Sequence, residues 1–378
     1  MKRLLSGLLA LLLLLTLAPA ARAEDRAVDS QACILMEKTT GQILYAVNEH
    51  QQLEPASVTK IMTILLVMEA IDSGVLAYGD MVTASAYASS MGGSQIWLKE
   101  NEQLTVEDML KAVCVVSAND CSVALAEHLA GSADAFVARM NQRAQELGME
   151  DTNFVNPTGL PAQGHVTSAH DIAIMSRELI LNHPDIRKFT TIWMDSLRDG
   201  ASGLVNTNKL IRFYEGATGL KTGSTDAAKY CLSATAERGG MELIAVILKA
   251  PTSVQRFESA KALLNYGFAN YSLVTVDPPE ALRPIPVALG DTAWVMPKLD
   301  GDNTLLVRKN QANSLDVQVE LEEALEAPVE AGQEVGRMTV TSNGEIVADI
   351  PLVAEQSSAR LTYWQIFQRC LKMAFLGG

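Results

Sequence analysis

The segment that follows Pro55 constrains this chain of 378 residues more than any other. Ile61, Ile64, Leu65, Met68 and Ile71 recur at helical spacing, further apolar residues fill the positions between them, and Gly74 ends the run. A helix apolar on nearly all sides has to be covered on nearly all sides. The neighbouring sequence supplies the cover. Ala32-Cys33-Ile34-Leu35-Met36 and Gln42-Ile43-Leu44-Tyr45-Ala46 are short apolar runs separated by Lys38-Thr39-Thr40-Gly41, and they read as a β-hairpin. Helical patterns continue through Val106–Val115, Ser122–Ala130, Ala133–Leu147 and Ala169–Leu181. Strand-like runs return at Leu220–Ser224, Ala228–Glu237 and Met241–Lys249, the last two joined by Arg238-Gly239-Gly240. Strands, then helices, then strands predict an α+β domain with one sheet closed by both ends of the segment.

The segment Met1–Ala23 has Lys2 and Arg3 before a Leu-rich run that ends in Ala21-Arg22-Ala23. This is the pattern of a secretory signal peptide, cleaved before Glu24; Leu4–Leu17 is short for a membrane span, which is the other reading of such a run. Export permits disulfides. Cys33, Cys114, Cys121, Cys231 and Cys370 are nevertheless odd in number and widely scattered, so buried free thiols are expected rather than a disulfide framework. The formal charge of the whole chain is −14, and it becomes −20 for residues 24–355 once six basic residues are set aside: Lys2, Arg3, Arg22, Arg360, Arg369 and Lys372. So acidic a body lacks the basic footprint of a nucleic-acid binder, and an aromatic content of 5% offers few stacking platforms.

Composition shifts after Tyr271, where Asp277-Pro278-Pro279 and Pro284-Ile285-Pro286 interrupt regular structure. Alternating strings such as Ser314-Leu315-Asp316-Val317-Gln318-Val319-Glu320, with a turn at Ser342-Asn343-Gly344, predict a small antiparallel β domain. It holds 15 acidic and 5 basic residues with no His and no Cys, which suits a spacer or partner surface better than chemistry. The expected division is a signal peptide over 1–23, a catalytic domain over 24–273, a β domain over 274–355 and a tail over 356–378. On a helical wheel from Leu361, Tyr363, Trp364, Phe367, Cys370, Leu371, Ala374 and Phe375 share one broad arc, and Gln365, Gln368, Arg369 and Lys372 share another. Such a helix suits the surface of an anionic bilayer and is too polar to span it. Docking on the protein's own acidic body is the competing expectation.

Three short strings carry chemistry. Ser57-Val58-Thr59-Lys60 falls in the first turn expected of the buried helix, where i, i+3 spacing puts both side chains on one face, ~5–6 Å apart at Cβ. A serine nucleophile needs a base at that distance, and lysine serves when burial and a neighbouring cation leave it neutral. The helix N-terminus adds a positive dipole end beside the attacked carbonyl. Ser117-Ala118-Asn119 follows an apolar run, and Lys221-Thr222-Gly223 opens a late strand.

In this order the three strings form the pattern Ser-x-x-Lys, Ser-x-Asn, Lys-Thr-Gly, and the chain resembles a low-molecular-weight penicillin-binding protein, a serine-type D-alanyl-D-alanine carboxypeptidase. Pro55–Thr63, Asn119-Asp120, Leu147-Gly148-Met149, Thr152-Asn153-Phe154 with Gly159-Leu160, and Lys221–Ala228 are all similar to the family. Ser224 is a variation, since some members carry His there. The resemblance implies a penicillin-binding-protein/β-lactamase-like catalytic domain of antiparallel sheet and helices, a small all-β domain and an amphipathic C-terminal helix. It implies attack by Ser57 on the penultimate D-alanine of a peptidoglycan stem peptide, with Lys60 as base, Ser117 as proton relay, and Asn119 holding Lys60 and the substrate amide. Lys221 would attract the substrate carboxylate and keep Lys60 neutral, with Thr222 and Gly223 lining the peptide. Backbone N–H groups of Ser57 and Ser224 would form the oxyanion hole. Arg256 matches a family position proposed to bind the terminal carboxylate, against an ordinary surface Arg. The resemblance also implies β-lactam acylation and attachment to the outer face of the cytoplasmic membrane, with no cofactor.

Other readings remain. Gly216–Thr222 looks like a phosphate-binding loop, but Leu220 stands where that loop requires Gly. His50, His128, His165, His170 and His183 show no metal-ligand spacing, so no metal is expected. A β-lactamase would need a Glu-x-x-x-Asn pattern on a loop flooring the site. Between Ser117 and Lys221 that pattern occurs once, at Glu178 and Asn182, closing an expected helix. A D,D-endopeptidase or a non-catalytic wall-binding homologue are further alternatives.

Overall fold

The structure, a computed structural model, describes residues 28–376, with side chains as far as Leu371. The expected signal peptide lies outside the described residues. Five strands, β1 (Ala32–Glu37), β2 (Ile43–Val47), β3 (Ala217–Thr225), β4 (Lys229–Arg238) and β5 (Met241–Ala250), form one sheet in the order β2-β1-β5-β4-β3 with every pair antiparallel. Both ends of the segment therefore close one sheet, as the order of patterns predicts. β1 and β5 are continuous apolar runs because both of their faces are covered. Ala32, Ile34 and Met36 of β1 and Ile244, Val246 and Leu248 of β5 enter one core, while Cys33, Leu35, Leu243, Ala245 and Ile247 enter another.

The first core holds α1 (Lys60–Asp72), α2 (Val106–Val115), α3 (Asn119–Ala130), α4 (Ala133–Glu146) and α5 (Ala169–Asn182). In α1, Ile61, Met62, Leu65, Val67 and Met68 have no exposed surface. The second core is capped by α6 (Ser253–Asn270), which lays Phe257, Ala260, Leu263, Leu264 and Phe268 on the other face of the sheet. This helix was not anticipated: the expectation placed helices only in the middle of the domain, and the structure has three layers, helix, sheet and helix. Two helix starts also differ. α3 begins at Asn119 rather than Ser122, and Ser57 lies in a 3₁₀ turn over Ala56–Thr59 that precedes α1. The segment that resembles a phosphate loop runs almost entirely as strand β3.

α6 leads directly into a strand at Tyr271–Thr275 that pairs with Thr304–Arg308, and Lys309 Nζ donates to Phe268 O at 2.6 Å, fastening the β unit to the helix end. Beyond it, Pro297–Leu299, Glu345–Ala354, Glu334–Ser342 and Leu315–Leu321 form an antiparallel sheet in that order. The expected antiparallel pattern has one exception, a parallel pairing of Val287 with Leu325. The last helix, α7 (Tyr363–Leu376), touches the body through Arg369, which donates to Gly290 O and Asp291 O. Its apolar arc is uncovered, with Tyr363 94%, Trp364 66% and Phe367 51% exposed. No helix among the described residues is long and apolar enough to cross a membrane. Cys33, Cys114, Cys121 and Cys231 are buried free thiols, while Cys370 is exposed, contrary to expectation.

Candidate active site

The chain approaches Ser57 through Ala56, which is buried with a left-handed φ of 49°. Two glycines permit this turn. A Cβ on Gly159, itself at φ +79°, would lie 1.8 Å from Ala56 O, and one on Gly223 of β3 would lie 2.8 Å from Ser57 N. The Gly of Lys-Thr-Gly thus lets the edge strand close on the backbone of the serine.

Lys60, the first residue of α1, has no exposed surface. Its Nζ lies 2.9 Å from Ser57 Oγ and donates to Thr158 O at 2.7 Å. Burial holds this amine well below its usual range, and the charge of Lys221 adds to the depression against a smaller opposing effect of Asp120. Lys221 is itself buried and donates to Thr222 O at 3.0 Å. Burial is again the first cause of its depression to about 7; Arg256 acts in the same direction, and Cys114 acts in the opposite one. Thr222 is fixed by a 2.8 Å hydrogen bond to Thr207 Oγ1, and Ser224 is the exposed residue that follows Gly223.

Ser117 sits at φ 66°, buried, with no hydrogen-bond partner for its Oγ. Asn119 does not hold Lys60. Its Nδ2 donates to Gly92 O at 2.6 Å, its N–H donates to Ser94 O at 2.7 Å, and its buried Oδ1 has no partner. Unsatisfied buried groups are uncommon in native proteins, and these two atoms are available to a ligand's polar groups. Arg256 is not a surface residue. It lies under β3, donates to Gly223 O and Cys231 O at 3.1 and 3.2 Å, and keeps an unpartnered buried Nε. Burial first lowers its pKa, to about 10.

Several positions were not assigned roles from sequence. Asp120 is fully buried, and its carboxylate accepts from the N–H groups of Ile96, Leu98 and Cys121, pinning the loop beside Asn119. Asn156 Oδ1 accepts from the N–H groups of Thr158 and Gly159 and so shapes the turn that presents Thr158 O to Lys60. Asn119-Asp120 and Gly159-Leu160 carried the signal, as parts of strings similar to the family. Glu178 lies elsewhere, near the C-terminal end of α5, where Arg143 Nη2 donates to it at 2.8 Å. Arg143 also bonds Glu69, nine residues beyond Lys60 on α1, or ~13 Å along the axis. Glu178 is therefore far from the serine.

A serine with a buried lysine at hydrogen-bond distance and a second buried lysine on the adjoining strand define a serine hydrolase of the Ser–Lys class. The chain belongs to the D-alanyl-D-alanine carboxypeptidase family, which matches residues 19–252, and residues 280–360 match the C-terminal domain of penicillin-binding protein 5. D-alanyl-D-alanine carboxypeptidase DacF of Bacillus subtilis (strain 168) is 39% identical over 383 residues, covering 98% of each chain. Penicillin-binding protein 5 from Haemophilus influenzae superposes with a TM-score of 0.80 at 32% identity, covering 88% of this chain and 98% of that one. Penicillin-binding protein D2 from Listeria monocytogenes in its ampicillin-bound form is 34% identical with a TM-score of 0.56, covering 63% of this chain and 97% of that one. The fold is that of a penicillin-binding protein 5-like catalytic domain followed by its β domain.

His165 makes the stability of this site pH-dependent. Its Nδ1 accepts from Val155 N–H at 3.0 Å, so Nε2 carries the proton and donates to Thr59 Oγ1 at 2.8 Å. Burial pushes the ring pKa down to about 4. Between that value and its ordinary 6.5 the unfolded chain binds a proton that the folded chain refuses. This contribution is complete above pH 6.5 and falls by about 3 kcal/mol as the pH drops to 4. Urea unfolding at pH 7.5 and 4.5 should show a larger acid loss in the wild type than in His165→Asn; equal losses would contradict the assignment.

Proposed function

We propose that this protein is a serine D-Ala-D-Ala carboxypeptidase that removes the terminal D-alanine of a peptidoglycan stem peptide through an acyl-enzyme on Ser57. The observation that carries the reading is the fully buried Lys60 amine, 2.9 Å from Ser57 Oγ and depressed by burial and by Lys221. Neutral Lys60 takes the Ser57 proton as Oγ forms a bond to the penultimate carbonyl carbon. The oxyanion falls to the N–H groups of Ser57 and Ser224. The C–N bond then breaks, the leaving amine takes a proton relayed through Ser117 from Lys60, and water later hydrolyses the ester. Asn119, through its unpartnered Oδ1, meets a substrate amide N–H. Lys221 and Thr222 attract the substrate carboxylate, and Arg256 supports that end of β3 through Gly223 O.

β-Lactams acylate the same serine in this reading. The position of Glu178 argues against a β-lactamase, since that carboxylate is committed to Arg143 and Asn182. Residues 1–23 serve export, 24–273 catalysis and 274–355 as a spacer. Residues 356–378 lie on the outer face of the cytoplasmic membrane with the exposed arc of α7 against anionic lipid.

Incubation with a pentapeptide ending in D-Ala-D-Ala should release free D-alanine, at a rate that rises with pH through neutrality. Ser57→Ala should abolish release, Lys60→Arg should lower it at least about a hundredfold because guanidinium stays protonated, and labelled penicillin should remain on Ser57 for minutes. No release by the wild type, or undiminished release by Ser57→Ala, overturns the reading. Truncation before Gln356 should leave this activity and remove sedimentation with anionic vesicles; equal sedimentation of both forms would assign the tail to the fold.

A further inference from the structure

Among the described residues, one group of imidazole and carboxylate atoms outside the active site has the spacing of a metal centre. Glu69, Glu178 and His183 each place one ligand atom within 4.8 Å of the others. Glu69 stands in the last turn of α1, Glu178 near the end of α5, and His183 caps α5. Helix C-termini already carry negative potential from unpaired carbonyls, so carboxylates there are unfavourable without a cation. Neither helix has a basic residue in its own last turn. Arg143 is the cation in contact, bonding Glu69 at 2.7 Å, Glu178 at 2.8 Å and Glu146 at 3.4 Å. One guanidinium thus serves three carboxylates, and a fourth, Asp72, meets His183.

The unused atoms point to a ligand. Arg143 occupies Oε1 of Glu69 and Oε1 of Glu178, which leaves Glu69 Oε2 without a hydrogen bond and Glu178 Oε2 bonded only by the amide of Asn182. His183 is 9% exposed, and its Nδ1 is engaged by Asp72 Oδ2 at 2.5 Å. Its Nε2 makes no hydrogen bond. A carboxylate on one imidazole nitrogen with the other left over is the support that metal-ligating histidines usually have.

We propose that Glu69, Glu178 and His183 bind one divalent transition-metal ion, with zinc the best match, and that water completes its coordination. Imidazole beside two carboxylates suits zinc rather than calcium or magnesium, which take oxygen ligands. The ion clamps the C-terminal ends of α1 and α5. It lies at the other end of α1 from Lys60, ~13 Å along the axis, so it braces the helix that carries the base without touching the reacting atoms. Sequence spacing could not show it, because its ligands come from two helices more than a hundred residues apart.

The full chain, stripped with a chelator and titrated with zinc chloride, should bind one zinc ion per chain by calorimetry and unfold at a higher temperature when saturated. His183→Gln should remove this stoichiometric site, Asp72→Asn should weaken it about tenfold or more, and exposed His128→Gln should leave it unchanged. None of the three should alter D-alanine release by the metal-free protein by more than about twofold. Absence of stoichiometric zinc binding, or binding that survives both His183→Gln and Asp72→Asn at full affinity, overturns the proposal.

Discussion

The side chain of Lys60 is shut off from solvent in a helix whose other buried positions are almost all apolar. Holding an ammonium there costs several kcal/mol, and the charge of Lys221 raises that cost. The fold therefore favours the amine. An amine has N–H groups to give and one lone pair to offer, and the two atoms beside it meet both needs: Thr158 O accepts at 2.7 Å, and the hydroxyl of Ser57 lies at 2.9 Å. The same burial that disfavours the charge suits the lysine to the role of base proposed for it, 2.9 Å from the serine hydroxyl.

Much of the surrounding structure maintains that contact. Asn156 shapes the turn that presents Thr158 O, and Gly159 is the only kind of residue that fits against Ala56 O. On the opposite side Gly223 brings β3 against the backbone of Ser57, and Arg256 braces that glycine from beneath. Asp120 pins the Ile96–Leu98 backbone, while Asn119 is tied to Gly92 and Ser94. Ser117 Oγ, Asn119 Oδ1 and Arg256 Nε are left buried without partners. Two of these three, Ser117 and Asn119, belong to a string that resembles one of the family's catalytic motifs.

The sequence made α1 legible because an apolar helix has one physical outcome, and it made the sheet legible because its inner strands β1 and β5 are continuous apolar runs. α6 was less legible: Phe257, Ala260, Leu264 and Phe268 stand at helical spacing, but Arg256, Ser259 and Gly267 share the buried face and interrupt the apolar stripe. The three motifs placed Ser57, Lys60 and Lys221, but not the bonds that hold them. Thr158 acts through its carbonyl, which carries no side-chain signature, and Asn119 turned to Gly92 rather than to Lys60. Arg256 was the least legible of the candidate site residues. One helix position cannot reveal that a guanidinium lies under a strand with two carbonyls to satisfy.

The central claim is that burial and Lys221 hold the Lys60 amine well below its ordinary range. NMR titration of the lysine Cε signals, with Lys60 assigned by its loss in Lys60→Met, measures this directly. The account predicts an inflection for Lys60 well below 10.5, moved upward in Lys221→Met as the second cation is removed. A Lys60 signal that titrates with the surface lysines near 10.5, indifferent to Lys221, would contradict it.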